Sequence, residues 1–288
     1  MLPGMVRRPS IAIVGAGNLG NALAVALRRA AYTIDAVISR PGRASRMRAQ
    51  TLAGKVDTRV ATSALEELNA DVVWFCVPDS QIESASEDIA KKVNWKKKVA
   101  LHSSGALTSD ALSELRRRGA SVASAHPLMT FVRGAKPSLA GVPFAIEGDA
   151  RAVRLARGIV RDLGGHAYAI RKSDKIAYHA WGMFASPLLT ALLVTTEQVA
   201  AAAGVKRKDA RSRMIPILLQ TLANYASFDA KDAFSGPIIR GDVETVKRHL
   251  QVLRRIPEAR EVYVALARSA LRHLPAKHKM KLAKALSN

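Results

Sequence analysis

The chain has 288 residues, enough for about two domains, and its apolar (49%) and charged (24%) contents are those of a folded protein. One cysteine, Cys76, excludes an intrachain disulfide framework. The net charge of +22 is spread along the chain without a nucleic-acid-binding signature, so neither a nucleic acid nor a membrane is the expected partner.

In chain order, Met1–Ser10 has no apolar core of its own and reads as a tail, consistent with a cytoplasmic location. Short apolar runs then alternate with helical patterns. Strands are expected at 10–14, 33–39, 59–61, 71–77, 98–101, 121–125, 142–146 and 166–170, and helices at 18–29, 43–52, 109–118 and 149–163. Ser63 with Glu66, and Ser80 with Glu83, form capping boxes for two more helices, the second running to about Val93. Val72 to Val77 is a continuous apolar run, as in a strand covered on both faces, and Cys76 within it reads as a small buried hydrophobe. This alternation predicts an α/β fold with a doubly wound, mostly parallel sheet over residues 1–170. After Ser173 no strand pattern appears. Helical segments at 174–203, 207–227, 242–254 and 257–273, with a short one near the C-terminus, predict an all-helical domain over residues 171–288. The stretch from Ile176 to Thr196 lacks Asp, Glu, Lys and Arg. It is long enough to span a bilayer, but its His179, Ser186, Pro187 and threonines favour a buried central helix, and its apolar surface argues for a homodimer.

The first strand runs into Gly15-Ala16-Gly17-Asn18-Leu19-Gly20, a Gly-x-Gly-x-x-Gly turn at a helix start. Gly15 makes the tight turn, Gly17 admits the pyrophosphate of a dinucleotide, and Gly20 lets helix pack on strand. The helix N-terminus then offers free N–H groups to phosphate. The second strand ends at Ser39-Arg40 rather than at an acid, and Asp35 lies too early to reach a ribose. A hydroxyl beside a guanidinium suits a 2′-phosphate, so NADP is expected in preference to NAD. Val77, Pro78 and Ser80 follow a later strand and belong on the same rim.

Gly15–Gly20, Cys76–Asp79, Leu101–Ala106, Ala125–Leu128, Phe144–Asp149, Tyr178–Ala180 and Gly236–Asp242 together resemble the family that pairs a Rossmann-like domain with the domain of unknown function numbered 2520. That family is similar to pyrroline-5-carboxylate reductase, ketopantoate reductase and 6-phosphogluconate dehydrogenase. The resemblance implies an NAD(P) oxidoreductase with a helical, dimerising second domain. One position departs: the family pattern Phe-Ala-Ser-Asn reads Phe184-Ala185-Ser186-Pro187 here, replacing a side-chain amide with a residue that kinks helices.

Hydride transfer needs a positioned proton donor. Lys175 and His179 share a helix face at i, i+4, and the resemblance implies that Lys175 is such a donor, with His179 at the position of a related enzyme's Asn. His102 and Ser103, at a strand end, form a second candidate, His126 before Pro127 a third, and Arg240 a clamp for an anionic substrate. The remaining histidines read as surface or packing residues, and no metal-ligand spacing or nucleophile elbow occurs. The reading is an NADP-dependent oxidoreductase acting on a small, anionic carbonyl or imine held between the domains, between His102 and Lys175. A non-catalytic dinucleotide sensor or scaffold is the alternative, which fold alone does not decide against.

Overall fold

The structure is a computed structural model that describes residues 7–62 and 68–287. The chain forms two compact units, Met1–Met183 and Phe184–Asn288. The Ser63–Glu66 capping box lies outside the described residues.

The first unit is built on eight strands: β1 (Ile11–Val14), β2 (Ile34–Ser39), β3 (Arg59–Thr62), β4 (Val72–Phe75), β5 (Val99–His102), β6 (Ser121–Pro127), β7 (Pro143–Gly148) and β8 (His166–Ala169). Their order in one sheet is β3-β2-β1-β4-β5-β6-β7-β8. Alternate residues explain the continuous apolar runs. Ile11, Ile13, Val72, Trp74 and Leu101 enter one core with α1 (Asn18–Arg29), α2 (Arg43–Val56) and α5 (Ala150–Asp162). Ala12, Val14, Val73, Phe75 and Ala100 enter the opposite core with α3 (Ile82–Ala90) and α4 (Ser113–Arg117). Both faces are covered, as a parallel sheet requires. The order turns back between β1 and β4, which opens a crevice at their carboxyl ends.

Two local expectations change. Gln81, not Ser80, is the N-cap of α3, because Asp79–Gln81 first makes a 3₁₀ turn. The helix expected at 109–118 likewise opens with a 3₁₀ turn, Ser109–Leu112. One strand pair departs from the parallel pattern: β7 runs antiparallel to β6. Gly148 ends β7 at φ 138°, and a Cβ there would stand 2.6 Å from the Ala123 Cα and still closer to the Val122 carbonyl.

The second unit is helical among its described residues: α7 (Pro187–Ala202), α8 (Arg207–Ser227), the single turns α9 (Ala230–Ala233) and α10 (Pro237–Arg240), α11 (Val243–Leu253), α12 (Pro257–His273) and α13 (Lys279–Ala285). Val246, Leu250, Ala267, Leu282 and Leu286 form its core. Asp242 caps α11 by accepting from the Thr245 N–H at 3.1 Å.

The segment 174–203 is not one buried helix. Lys172–Asp174 forms a 3₁₀ turn, α6 (Lys175–Ala185) follows, and the chain breaks at Ser186 (φ −134°, ψ −74°) before α7 begins on Pro187. Proline has no N–H for the preceding turn, and its ring collides with the carbonyl four residues back. Nor is the segment central: Ile176 is 69% and Phe184 73% exposed. The stretch Lys172–Ala202 that these helices make up is long and apolar enough to cross a membrane by length and composition, with a mean hydropathy of 1.3.

Gly148→Ala is expected to lower stability by about 2–4 kcal/mol, because a β-carbon has neither the backbone conformation nor the space it needs. Denaturant unfolding checks this, and a loss below about 0.5 kcal/mol would contradict the β6–β7 packing.

Candidate functional site

The crevice between β1, β2 and β4 opens into a cleft of about 1120 Å³, lined by Gly15–Asn18, Ser39, Arg40, Cys76–Pro78, Gln81 and Arg133 among others. Gly15 has φ 99°, and a Cβ on it would lie 2.8 Å from Val77 Cγ1 and 2.9 Å from the Cys76 carbonyl. A Cβ on Gly20 would strike the Gly15 carbonyl and approach Cys76 Cβ at 3.3 Å. The two glycines therefore bring turn, helix and β4 together. Helix α1 starts on Gly17 with no side-chain cap and no acid in its first turn, leaving its N–H groups open to an anion.

At the far wall, Ser39 Oγ is buried without a hydrogen-bond partner. Beside it, Arg40 donates to Ser45 Oγ at 3.2 Å and to Gln81 Oε1 at 3.4 Å. Asp35 stays out of the cleft and lies 3.8 Å from the Arg59 guanidinium. An orphaned hydroxyl, a guanidinium and a glycine cradle fit an adenine dinucleotide and its phosphates. Leu19 and Gly20 sit behind the turn rather than on the cleft wall, and Ser80 is exposed with its neighbour Gln81 taking the lining position. Arg133 was not legible in the sequence. It reaches the cleft because Asn18 Nδ2 donates to the Phe131 carbonyl at 3.1 Å, drawing the β6–β7 connection over the start of α1.

One strand further along the rim, polar groups converge where β5 and β6 end. The Lys175 side chain is fully buried, and its Nζ donates to the Ser104 carbonyl (3.0 Å) and to Ser124 Oγ (2.6 Å). Burial lowers its pKa to about 8, against the opposing fields of Glu147 and Asp79. One turn on, His179 lies against Gly105, where a Cβ would meet His179 Cδ2 at 2.8 Å and His126 Nε2 at 2.9 Å. The two imidazole centroids are 6.5 Å apart. His126 Nδ1 shares a 2.7 Å hydrogen bond with the Tyr178 hydroxyl. Burial, with the nearby Lys175 and His179, lowers the His126 pKa to about 4, so its ring is neutral near pH 7. Burial raises the Tyr178 hydroxyl, keeping it protonated.

The turn Ser103–Leu107 holds this cluster to the cleft. Ser104 Oγ donates to Asp79 Oδ2 at 2.7 Å and accepts the N–H groups of Ala106 (3.2 Å) and Leu107 (2.8 Å). Asp79 directly follows Pro78 of the cleft wall. Glu147 is buried, accepting from the Ser109 N–H (2.6 Å) and hydroxyl (2.8 Å).

The structure thus brings Lys175, His126 and His179 together, and gives His102 and Ser103 other work. His102 is fully buried. Its Nδ1 accepts the Ser104 N–H at 3.1 Å, which leaves Nε2 to donate to the Thr108 carbonyl at 3.0 Å. Burial lowers its pKa to about 4. With both nitrogens committed to backbone, it positions the turn and has no lone pair or proton for a substrate. Ser103 Oγ accepts from the Trp74 indole at 2.8 Å and likewise faces inward. Arg240 is exposed at the end of α10 in the second unit. Cys76 is buried, which pushes its thiol up to about 12 and fits the reading of a small hydrophobe. Ser124 was not legible in the sequence. Ser104, Asp79, Glu147 and Tyr178 lie in the segments that carry the family resemblance, but nothing there marks them as partners of Lys175 and His126.

Residues 5–127 match the model of the Rossmann-like domain and residues 142–270 that of the domain of unknown function 2520. The chain joins these two domains. No protein of curated function matches it in sequence. Its fold is similar to that of a Bacteroides fragilis protein provisionally described as an NADP oxidoreductase (22% identity, 91% of this chain and 97% of that one, TM-score 0.75). It is also similar to protein TM1727 of Thermotoga maritima (21%, 96% and 98%, 0.70) and to an imine reductase of a Pseudomonas species (20%, 97% and 100%, 0.64).

The two histidines that their surroundings hold neutral make stability acid-sensitive. Each has a folded pKa near 4 against an ordinary 6.5, so between these values the unfolded chain binds more protons and stability falls as pH falls. Denaturant unfolding from pH 7 to 4.5 should show a slope approaching about 1.4 kcal/mol per pH unit for each histidine. A slope that His126→Asn leaves unchanged would show that its imidazole is not held neutral.

Proposed function

We propose that this chain is an NADP-dependent oxidoreductase acting on a small carbonyl or imine compound. The observation that carries this reading is the hydrogen bond from Ser104 Oγ to Asp79 Oδ2. It ties a dinucleotide-shaped cleft to a lysine and two imidazoles on the same carboxyl-end rim, where such sheets bind ligands. The solved relatives described as NADP oxidoreductase, pyrroline-5-carboxylate reductase and imine reductase support the same class.

In this reading the Gly15–Gly20 turn and the α1 N-terminus hold the pyrophosphate, and Ser39 and Arg40 hold the 2′-phosphate. The bound cofactor supplies hydride chemistry. The chain supplies position and a proton. With the Tyr178 hydroxyl donating to Nδ1, the His126 proton sits on Nε2, the atom facing Gly105 and His179. Lys175 fixes the Ser104 carbonyl and contributes positive charge without reaching solvent. Preference for NADP over NAD is checked by fluorescence titration with NADPH and NADH. NADPH should bind more tightly, and Arg40→Asp should reverse the order, a change of about 1–3 kcal/mol. Equal affinities in the unaltered protein would remove the assignment of Ser39 and Arg40.

The reading includes a homodimer in a cytoplasmic setting. Leu188, Leu189 and Val194 on α7 and Ile217, Leu219 and Leu222 on α8 are exposed, an apolar surface larger than a soluble monomer ordinarily shows. A second copy of the chain covers it in a closed pair. Light scattering at micromolar concentration should give twice the 31.0 kDa chain mass, and Leu219→Asp with Leu222→Asp should shift it toward one. A monomer in the unaltered protein would overturn this.

A further inference from the structure

The connection between β6 and β7 is held at two points and open between them. Phe131 packs against the core shared with α1, and Leu139 is buried, while residues 132–136 are exposed. The Phe131 carbonyl accepts from Asn18 Nδ2, and Asn18 is the first residue of α1. The chain then turns at once. The Ala135 N–H donates to the Val132 carbonyl at 3.2 Å, and Gly134 has φ 84°, the conformation that the third residue of a type II turn takes. Arg133 is the second residue of this turn, and with Gly134 it lines the dinucleotide cleft.

From this placement we infer that Arg133 is a pyrophosphate-binding residue of the cofactor cleft, an assignment that rests on the reductase reading and deepens it. Charge supports it. The Gly15–Gly20 turn has no charged side chain, so by itself it offers a diphosphate only backbone N–H groups and a helix dipole. That dipole amounts to about half a charge at the N-terminus, which leaves most of the diphosphate's charge unmatched. The guanidinium is also uncommitted: among the described residues Arg133 makes no hydrogen bond and no ion pair. Asp88 on α3 is the one acid among the described residues lining the cleft, and it is not paired with Arg133. Position separates the two phosphate sites. Arg40 and Arg48, the other cations of the cleft, come from the end of β2 and from α2, and Arg40 is held by Ser45 and Gln81. Arg133 comes from a segment tied to the first residue of α1, the end that faces the pyrophosphate. A planar guanidinium takes two phosphate oxygens at once, which a backbone N–H does not.

The test measures binding to the full chain, by NADPH fluorescence and by displacement of NADPH, with three probes. NADPH carries both the pyrophosphate and the 2′-phosphate. ADP-ribose carries the pyrophosphate alone, and adenosine 2′-monophosphate the 2′-phosphate alone. Arg133→Gln should weaken NADPH and ADP-ribose by about tenfold each, the loss of a charge-assisted hydrogen bond, and leave adenosine 2′-monophosphate unchanged. Arg133 is exposed, so the variant should fold and unfold thermally as the unaltered chain does. Three results on a chain that binds NADPH would overturn the inference and leave the reductase reading standing: no binding of ADP-ribose, ADP-ribose affinity unmoved by Arg133→Gln, or an equal loss for adenosine 2′-monophosphate. Failure of the unaltered chain to bind NADPH would overturn both.

Discussion

The candidate site depends on one buried contact, the Lys175 ammonium against the Ser104 carbonyl and the Ser124 hydroxyl. An ammonium taken out of water is costly unless its donors are satisfied, and here a strand hydroxyl and a turn carbonyl satisfy two of them. That requirement ties the first turn of α6 to the ends of β5 and β6. Tyr178 and His179, three and four residues on, then fall on the same face and meet His126. Ser124 also donates to the Ser104 carbonyl at 3.2 Å, so one oxygen organises both the lysine and the strand.

A second constraint is steric. Gly15, Gly20 and Gly105 each stand where a β-carbon would collide with a neighbour: backbone and Val77 at the first, the Gly15 carbonyl at the second, two imidazoles at the third. The first two close the cleft against β4. The third lets the imidazoles close over the turn. The same absence of a side chain thus lets the turn close on β4 at one end of the rim and the histidines pack at the other.

How much was legible follows from the range of each signal. The strands and first-unit helices came from periodicity, a local property, and the Gly-x-Gly-x-x-Gly turn came from backbone geometry within six residues. Ser39 and Arg40 were readable because a strand end is a local event too. The cluster was only half readable. Lys175 and His179 are one helical turn apart and announce a shared face. His102 looked like an acid–base residue because a strand-end histidine is what such a residue looks like in sequence. Its actual partners, Thr108 and Ser104, are backbone groups whose direction depends on how the next turn closes.

The sequence by itself determined the order of strands and helices, the phosphate turn and the all-helical second half, because each is set by spacing. Only the tertiary structure decided that β7 reverses against β6 and that Ser124, 51 positions before Lys175, is its partner. It also decided that the uncharged stretch after Lys175 lies exposed rather than central. These outcomes depend on which surfaces meet across long stretches of chain. A pattern that records which residues are apolar does not record what covers them.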